Sequence, residues 1–414
     1  MDRAAAFESP ARIPDAEFTE RRRRAAHAAR AAGLDGLLVV GRTSGSLDML
    51  MNVYWLTRQY FVPPAVVPTG FWRAYGFDIV LIDGDGRSAL VSCGTTDPPV
   101  INDVRLGLDV EQLFVDAIRD LGLDRGRVGL AGSEVMPWTI AERLRREFPD
   151  LQLVPADLLM AQVRFTLSHA ECDMVRQSVA AGCRTLEAGL GAAVPGASDG
   201  AIVAAGWQVA ARTQRQQHWN FIAASGPIAG EYAAGSLPSW DPIRPYEAGD
   251  LIHPDCYGYV DGYMYDVQRT MVVGARPTPR QQWLIDGSWD HAQALGEALR
   301  DGVTCRDIYQ LGLRFMADRG YGGRESARQS WEMAGHFGHG YASGFDWPWL
   351  GETGPLVDRP LKAPYAVTIE LYWQEPGVGQ AWVEENWLVL PDRSERLSAV
   401  LPKTYGPDGE LIWS

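Results

Sequence analysis

The chain reads as two domains: an α/β domain, then a second domain of helices and strands with a weak internal repeat. Three observations point there. At 414 residues the chain is longer than one core of ordinary size accommodates. Over residues 1 to about 160, helical stretches alternate with short runs of β-branched and aliphatic residues. Beyond them one phrase occurs twice, starting at Val194-Pro195-Gly196-Ala197-Ser198 and again at Asp301-Gly302-Val303-Thr304. Each phrase is a Gly turn, a hydroxyl N-cap and an amphipathic helix, followed by a glycine-containing loop and a strand.

Taken in order, Glu17 to Ala32 is helical, and its arginine run, Arg21 to Arg24, reads as a solvated face. Leu34 to Gly41 turns into a buried strand, Asn52 to Thr57 follows, and Val62 to Gly70 is a Pro-rich loop. Asp78 to Ser92 is a hairpin around the turn Asp83-Gly84-Asp85-Gly86. Arg127 to Ala131 is a strand, and Pro137 to Phe148 a helix. Ser168, with Glu171 three residues on, forms a capping box for a helix over His169–Leu190. The boundary is placed at 160, giving domains of 1–160 and 161–414.

The centre of the second domain is Gly249 to Gly274, two strands joined by Val260-Asp261-Gly262. Asp255 and Asp266 each sit in a run of apolar and aromatic residues, where a charge is rarely buried without a partner or a metal. A hairpin brings both carboxylates to one side. Downstream, His339 lies in the Gly-flanked run Gly335 to Gly340, Glu370 in the apolar strand Val367 to Trp373, and Glu384 in Ala381 to Leu390. Carboxylates with one imidazole make a hard, mixed O/N donor set, suited to Mn, Fe, Co or Zn.

The net charge of −14 argues against nucleic acid and anionic membrane surfaces as partners. No signal peptide or membrane-length apolar run is read, and five scattered cysteines suit a reducing cytoplasm.

The order Asp, Asp, His, Glu, Glu, with ten residues between the two Asp and thirteen between the two Glu, resembles the pita-bread metallopeptidase superfamily. That group contains methionine aminopeptidases, Xaa-Pro aminopeptidases, prolidases and the metal-free creatinases. The resemblance implies a pseudo-twofold α+β domain whose two halves wrap a curved antiparallel sheet, preceded by a creatinase-like α/β domain. Asn52, Tyr54, Leu56 and Thr57 match a pattern of that first domain. It further implies that Asp255, Asp266, His339, Glu370 and Glu384 hold two divalent metal ions, with Mn preferred. Glu370 then shuttles a proton, and the protein is a homodimer; strand alternation from Glu384 makes Glu385 a support for the ligands or an outward-facing residue.

Three departures bear on the substrate. Where the peptidases of this group carry two substrate-facing histidines, this chain has a position near Ala233, and Asp346; where they carry an Arg two residues before the final Glu, it has Trp382. The resulting expectation is a hydrolase of an amide or other C–N bond in a small molecule or dipeptide-like substrate, different from ordinary Xaa-Pro dipeptides. Asp346-Trp347-Pro348 also resembles the dimethylsulfoniopropionate lyases of the same fold group. Those carry an extra Asp ligand where this chain has His253 or Tyr257. A lyase acting on that or a similar cationic carboxylate is the first alternative, and a non-catalytic binding protein on the same fold the second.

Asp346, His253 and His218 join Glu370 as candidate catalytic residues, and His336, Trp347, Tyr257 and Trp382 as candidate substrate-binding residues. Strand alternation puts His253 on the face of Asp255, as a metal neighbour or a hydrogen-bonded core His. His336 reads as a support for His339, and His218 as pocket rim or structural. Trp219, Trp240, Trp347, Trp349, Trp373, Trp382 and Trp387 supply either an aromatic cage for a cation or ordinary core packing.

Overall fold

The computed structural model describes residues 12–43, 49–63, 70, 72–213, 216–222, 245–321, 335–405 and 411–412. The chain divides into two compact units, Arg12–Phe165 and a second running from Thr166 to the C-terminus.

The first unit holds helices α1 (Asp15–Ala31), α2 (Met51–Thr57), α3 (Val110–Asp120), α4 (Trp138–Glu147) and α5 (Asp157–Phe165). Its strands are β1 (Gly36–Arg42), β2 (Phe77–Asp83), β3 (Ser88–Ser92), β4 (Asp103–Leu106), β5 (Gly126–Ala131) and β6 (Leu151–Pro155). They form one mixed sheet in the order β4-β3-β2-β1-β5-β6. The central strands are buried along nearly their whole length, which is why they read as unbroken aliphatic runs.

The arginine run of α1 departs from expectation. Arg21 and Arg22 are buried, not solvated. Arg21 donates to the Trp55 carbonyl, and Arg22 to the carbonyls of Leu56 and Val100. The last carbonyls of α2 have no intrahelical partner, and these guanidinium groups satisfy them.

The second unit holds α6 (His169–Leu190), α7 (Asp199–Arg212), α8 (Pro279–Ala298) and α9 (Cys305–Asp318). Its strands are β7 (Gln216–Ile222), β8 (Leu251–Ile252), β9 (Asp255–Val260), β10 (Tyr263–Gln268), β11 (Thr270–Val272), β12 (His336–Gly340), β13 (Asp346–Gly351), β14 (Tyr365–Glu375), β15 (Gly379–Val389), β16 (Ser394–Arg396), β17 (Thr404–Tyr405) and β18 (Leu411–Ile412). The main sheet runs β13-β12-β14-β15-β10-β9-β7, with β16 on β15; its pairs are antiparallel. Ser168, Thr278 and Thr304 close capping boxes on α6, α8 and α9, whereas Ser198 starts α7 without a side-chain cap.

The long helices α6 and α8 pack on one face of this sheet, one on each half. Glycines set their approach. A Cβ on Gly182 of α6 would lie 2.4 Å from the Tyr265 ring, and one on Gly296 of α8 would lie 2.0 Å from the Trp387 ring. The opposite face is left for chemistry.

Candidate metal centre

Backbone register decides which side chains share that opposite face. Residues directly across an antiparallel pair point the same way, as do alternate residues along a strand. Gln268 lies opposite both Asp255 and Glu384, and Asp266 lies opposite Tyr257. Glu370 lies opposite Glu384, and His339 opposite Thr368. Five strands therefore aim Asp255, Asp266, His339, Glu370 and Glu384 at one region. The β9–β10 turn that fixes the first two has Asp261 and Gly262 both at positive φ, +48° and +84°. That is the hairpin geometry Asp-Gly favours.

Within this set Asp266, His339 and Glu384 each offer a ligand atom within 4.8 Å of the others. His339 Nε2 stands 3.8 Å from Asp266 Oδ2, 3.8 Å from Glu384 Oε1 and 4.0 Å from Glu370 Oε2. Its Nδ1 lies 3.0 Å from the Gly340 carbonyl. An acceptor there requires Nδ1 to carry the proton, so Nε2 turns a lone pair toward three carboxylates. The Thr368 hydroxyl donates to Glu384 Oε1 at 2.9 Å, and the Asn386 amide donates to the Asp266 carbonyl at 2.6 Å. Asp255 Oδ1 and Asp266 Oδ1 are buried and have no hydrogen-bond partner among the described residues.

The electrostatics are those of a site built for a cation. Among the described residues, none of these four acids pairs with a Lys or Arg. Burial pushes the Asp255 carboxyl up to about 7. Burial and the charge of Asp255 push Glu370 up to about 8. Asp266 and Glu384 are raised well above the usual carboxylate range, first by desolvation and then by repulsion from neighbouring acids. Desolvation lowers His339 to about 3, so the ring is neutral. Several carboxylates and an imidazole lone pair facing one spot repel one another unless a cation stands between them. The oxygen-rich donor set, the unpartnered carboxylate oxygens and the oriented Nε2 fit a divalent metal.

Access is uneven. The side chains of Asp266, His339 and Glu384 are at most 2% exposed, whereas Glu370 is 20% exposed. Glu370 is thus the acid a solvent or substrate molecule reaches. On the other flank, Phe345 and Trp349 pack on the His339 ring at centroid distances of 4.4 and 5.3 Å. Both are substantially exposed.

His253 does not share a strand with Asp255, because β8 ends at Ile252 and β9 begins at Asp255. Strand alternation therefore does not fix its direction. Its ring packs on Trp382 at 5.4 Å, neither ring nitrogen has a partner among the described residues, and burial lowers its pKa to about 4. His336 does not orient His339, since the Gly340 carbonyl does. Its Nδ1 accepts from the Gly338 N–H, and its ring packs on Trp349. Tyr257 is buried on the same face as Asp266, edge-on to Phe345. Trp347 is buried and donates to the Pro355 carbonyl at 3.2 Å. Trp373 and Trp387 point to the helix-covered face and belong to the core. His218 and Asp346 lie on β7 and β13, but their side chains, like Trp219, Trp240 and Ala233, fall outside the described residues. Sequence reading passed over Thr368, Gln268 and Arg269. Alternation from Glu370 and Asp266 would have placed the first two on the ligand face.

A curved ligand face between two helix-backed halves, preceded by an α/β unit, defines a two-domain metallopeptidase-like hydrolase. The chain belongs to metallopeptidase family M24, which matches residues 173–391, and residues 21–166 match the creatinase/prolidase N-terminal domain. An Xaa-Pro dipeptidase of Pyrococcus horikoshii is 22% identical over 291 residues, covering 69% of this chain and 74% of the relative. The uncharacterized peptidase YqhT of Bacillus subtilis is 24% identical over 382 residues, covering 90% and 95%. Among solved structures, the prolidase of Pyrococcus horikoshii OT3 superposes with a TM-score of 0.72 at 19% identity, over 95% of this chain and all of that one. The dipeptidase PepE of Mycobacterium ulcerans gives 0.71 at 21% identity, over 97% and 99%. These likenesses establish the fold, and the family implies divalent metal ions.

Proposed function

We propose that the protein is a metal-dependent hydrolase of an amide or other C–N bond in a small molecule, related to Xaa-Pro peptidases but with its own substrate. The observation that carries this reading is the buried group of carboxylates around His339 Nε2 with no cationic partner among the described residues. Asp255, Asp266, His339, Glu370 and Glu384 would hold two divalent ions, Mn preferred. Bound there, such ions polarise a scissile carbonyl and activate water at neutral pH.

The chain's own residues do the rest. Thr368 holds Glu384, and the Gly340 carbonyl holds His339, in ligating orientation. Glu370, the open acid of the group, takes the proton from the attacking water and delivers it to the leaving nitrogen. Phe345 and Trp349 give the substrate an apolar wall beside His339. Asp346 begins β13, the strand next to His339, and is assigned to substrate contact, together with His218 and His336. The Xaa-Pro dipeptidase relative supports a dipeptide-like substrate, and Trp382 in place of the group's arginine supports a different end group. Free cysteines throughout support a cytoplasmic protein, and the family resemblance a homodimer.

A mass-spectrometric product scan tests the reading. Mn-loaded protein is incubated with Xaa-Pro dipeptides, N-acylated and cyclic amidines, and dimethylsulfoniopropionate, with Glu370→Ala as control. The expected result is Glu370-dependent addition of one water to a C–N substrate. Acrylate without water addition would assign the protein to the lyases.

A further inference from the structure

A second group of unsatisfied polar atoms lies beside the ligands. His253 Nδ1 and Nε2, Gln268 Oε1 and Trp382 Nε1 are all buried with no hydrogen-bond partner among the described residues. Buried polar atoms in native proteins are almost always paired, so such a cluster calls for a ligand. The three residues are contiguous. The Trp382 and His253 rings pack at 5.4 Å, and Gln268 Nε2 donates to the His253 carbonyl at 2.9 Å. That bond settles the amide's orientation: an acceptor faces the NH2 group, so Oε1 is the free end. Gln268 stands between Asp255 and Glu384 in register, and Trp382 is two residues before Glu384 on the same face. Around the cluster Glu370, Tyr372 and Trp382 are half-buried, whereas His253 and Gln268 are fully buried.

The hydrogen-bonding character of the cluster selects its ligand. The indole N–H is a donor, an imidazole carries one N–H donor and one lone pair when neutral and two donors when charged, and Gln268 Oε1 is an acceptor. A carboxylate would meet the two donors but set its lone pairs against Oε1, next to a cluster of acids that has no paired Arg or Lys among the described residues. An ammonium would meet Oε1 and the lone pair of a neutral imidazole, but it carries no acceptor for the indole N–H or the imidazole N–H. A carboxamide has both kinds of group: its carbonyl oxygen accepts from the indole and imidazole N–H groups and an N–H donates to Oε1, and a primary amide keeps a second N–H for the imidazole lone pair. We propose that His253, Gln268 and Trp382 form a subsite that takes an uncharged amide group of the substrate. The subsite rests on the hydrolase reading and narrows it, to peptides whose end beyond the scissile bond is an amide or a further peptide bond. A dipeptide with a free carboxylate is a poor fit.

The test compares glycyl-prolinamide with glycyl-proline on Mn-loaded protein. Calorimetry gives the ratio of affinities, or kinetics the ratio of kcat/KM where the probe is turned over. Metal content is measured in the same samples. Two variants keep the volume and remove one hydrogen-bonding group each: Trp382→Phe and Gln268→Met. The wild type should favour the amide by roughly tenfold or more, the scale set by leaving buried polar groups unpaired. Each variant should cut that preference by about tenfold at unchanged metal content. Equal or stronger use of the free acid, no interaction with either probe, or a ratio unmoved in both variants would overturn the subsite. Such a result with metal bound leaves the hydrolase reading standing, whereas absence of metal binding overturns both.

Discussion

At the scale of single residues, the candidate centre is a set of groups that destabilise one another. Asp266 is buried beside Asp255, Glu370 and Glu384, and each of the others raises its pKa. Removing one charge should therefore help the metal-free fold and harm metal binding. Asp266→Asn should raise the unfolding midpoint of chelator-treated protein at pH 8 while lowering Mn affinity by about a hundredfold or more. Thermal melts with and without chelator measure the first effect, and calorimetry the second. A fall in both would make Asp266 an ordinary structural acid. Thr368→Val tests the orienting hydrogen bond to Glu384. Loss of such a bond costs about 10–100-fold in metal affinity, so calorimetry should find a drop in that range with an unchanged fold.

At the scale of elements, strands β10 and β15 are locked from behind by Arg269. Its fully buried guanidinium donates to the carbonyls of Gln268, Glu384, Ser398 and Pro402, pairs with Glu385 and lies over the Trp289 ring. Glu385 also accepts from the Ser398 hydroxyl at 2.8 Å. Arg269→Met would leave buried Glu385 only the more distant Arg396, 3.8 Å from its Oε2, as charge partner, a loss of up to about 3–5 kcal/mol. The double variant with Glu385→Leu should recover part of it, because no uncompensated charge remains. Denaturant unfolding of the three variants reads the cycle; a double variant as unstable as the sum of the singles would show that the pair is not coupled.

The same strands show what could be read in advance. Asp255, Asp266, Glu370 and Glu384 stood out because each is an acid inside an apolar strand, and His339 because glycines flank it. Which acids face one another is a matter of register, and register depends on pairing between strands far apart in sequence. Arg269 escaped notice because one arginine at a strand end reads as solvent-facing until the partner strand supplies Glu385. The expectation for His253 assumes an unbroken strand through Pro254. The chain instead leaves β8 at Ile252, and the ring turns to Trp382.

At the scale of the whole molecule, the two units carry different kinds of buried charge. In the first, Asp78 is fully buried with a hydrogen bond from the Gln59 amide to Oδ2, Oδ1 has no partner among the described residues, and desolvation pushes the carboxyl up to about 7. Its folded pKa exceeds the unfolded one, so the folded state holds the proton more tightly. Stability from this group is complete below about pH 4 and declines as pH rises toward 7, by on the order of 4 kcal/mol in total. Asp78→Asn should flatten that decline in melts recorded between pH 4 and 8; an unchanged slope would assign it elsewhere. The alternation of helix and strand in this unit was legible because each buried strand is an aliphatic run. The burial of Arg21 and Arg22 was not, since it depends on carbonyls at the end of α2 that become near neighbours only in the folded chain.

In the second unit the buried charge is the proposed metal centre, and one measurement tests it directly: calorimetric titration of Mn into chelator-treated protein at pH 7.5, with His339→Ala alongside. A buried pair of cation sites predicts saturation at two ions per chain for the wild type. It also predicts a matching rise in unfolding temperature, and loss of at least one ion in the variant. A wild type that takes up no metal, or a variant that binds as the wild type does, would contradict it.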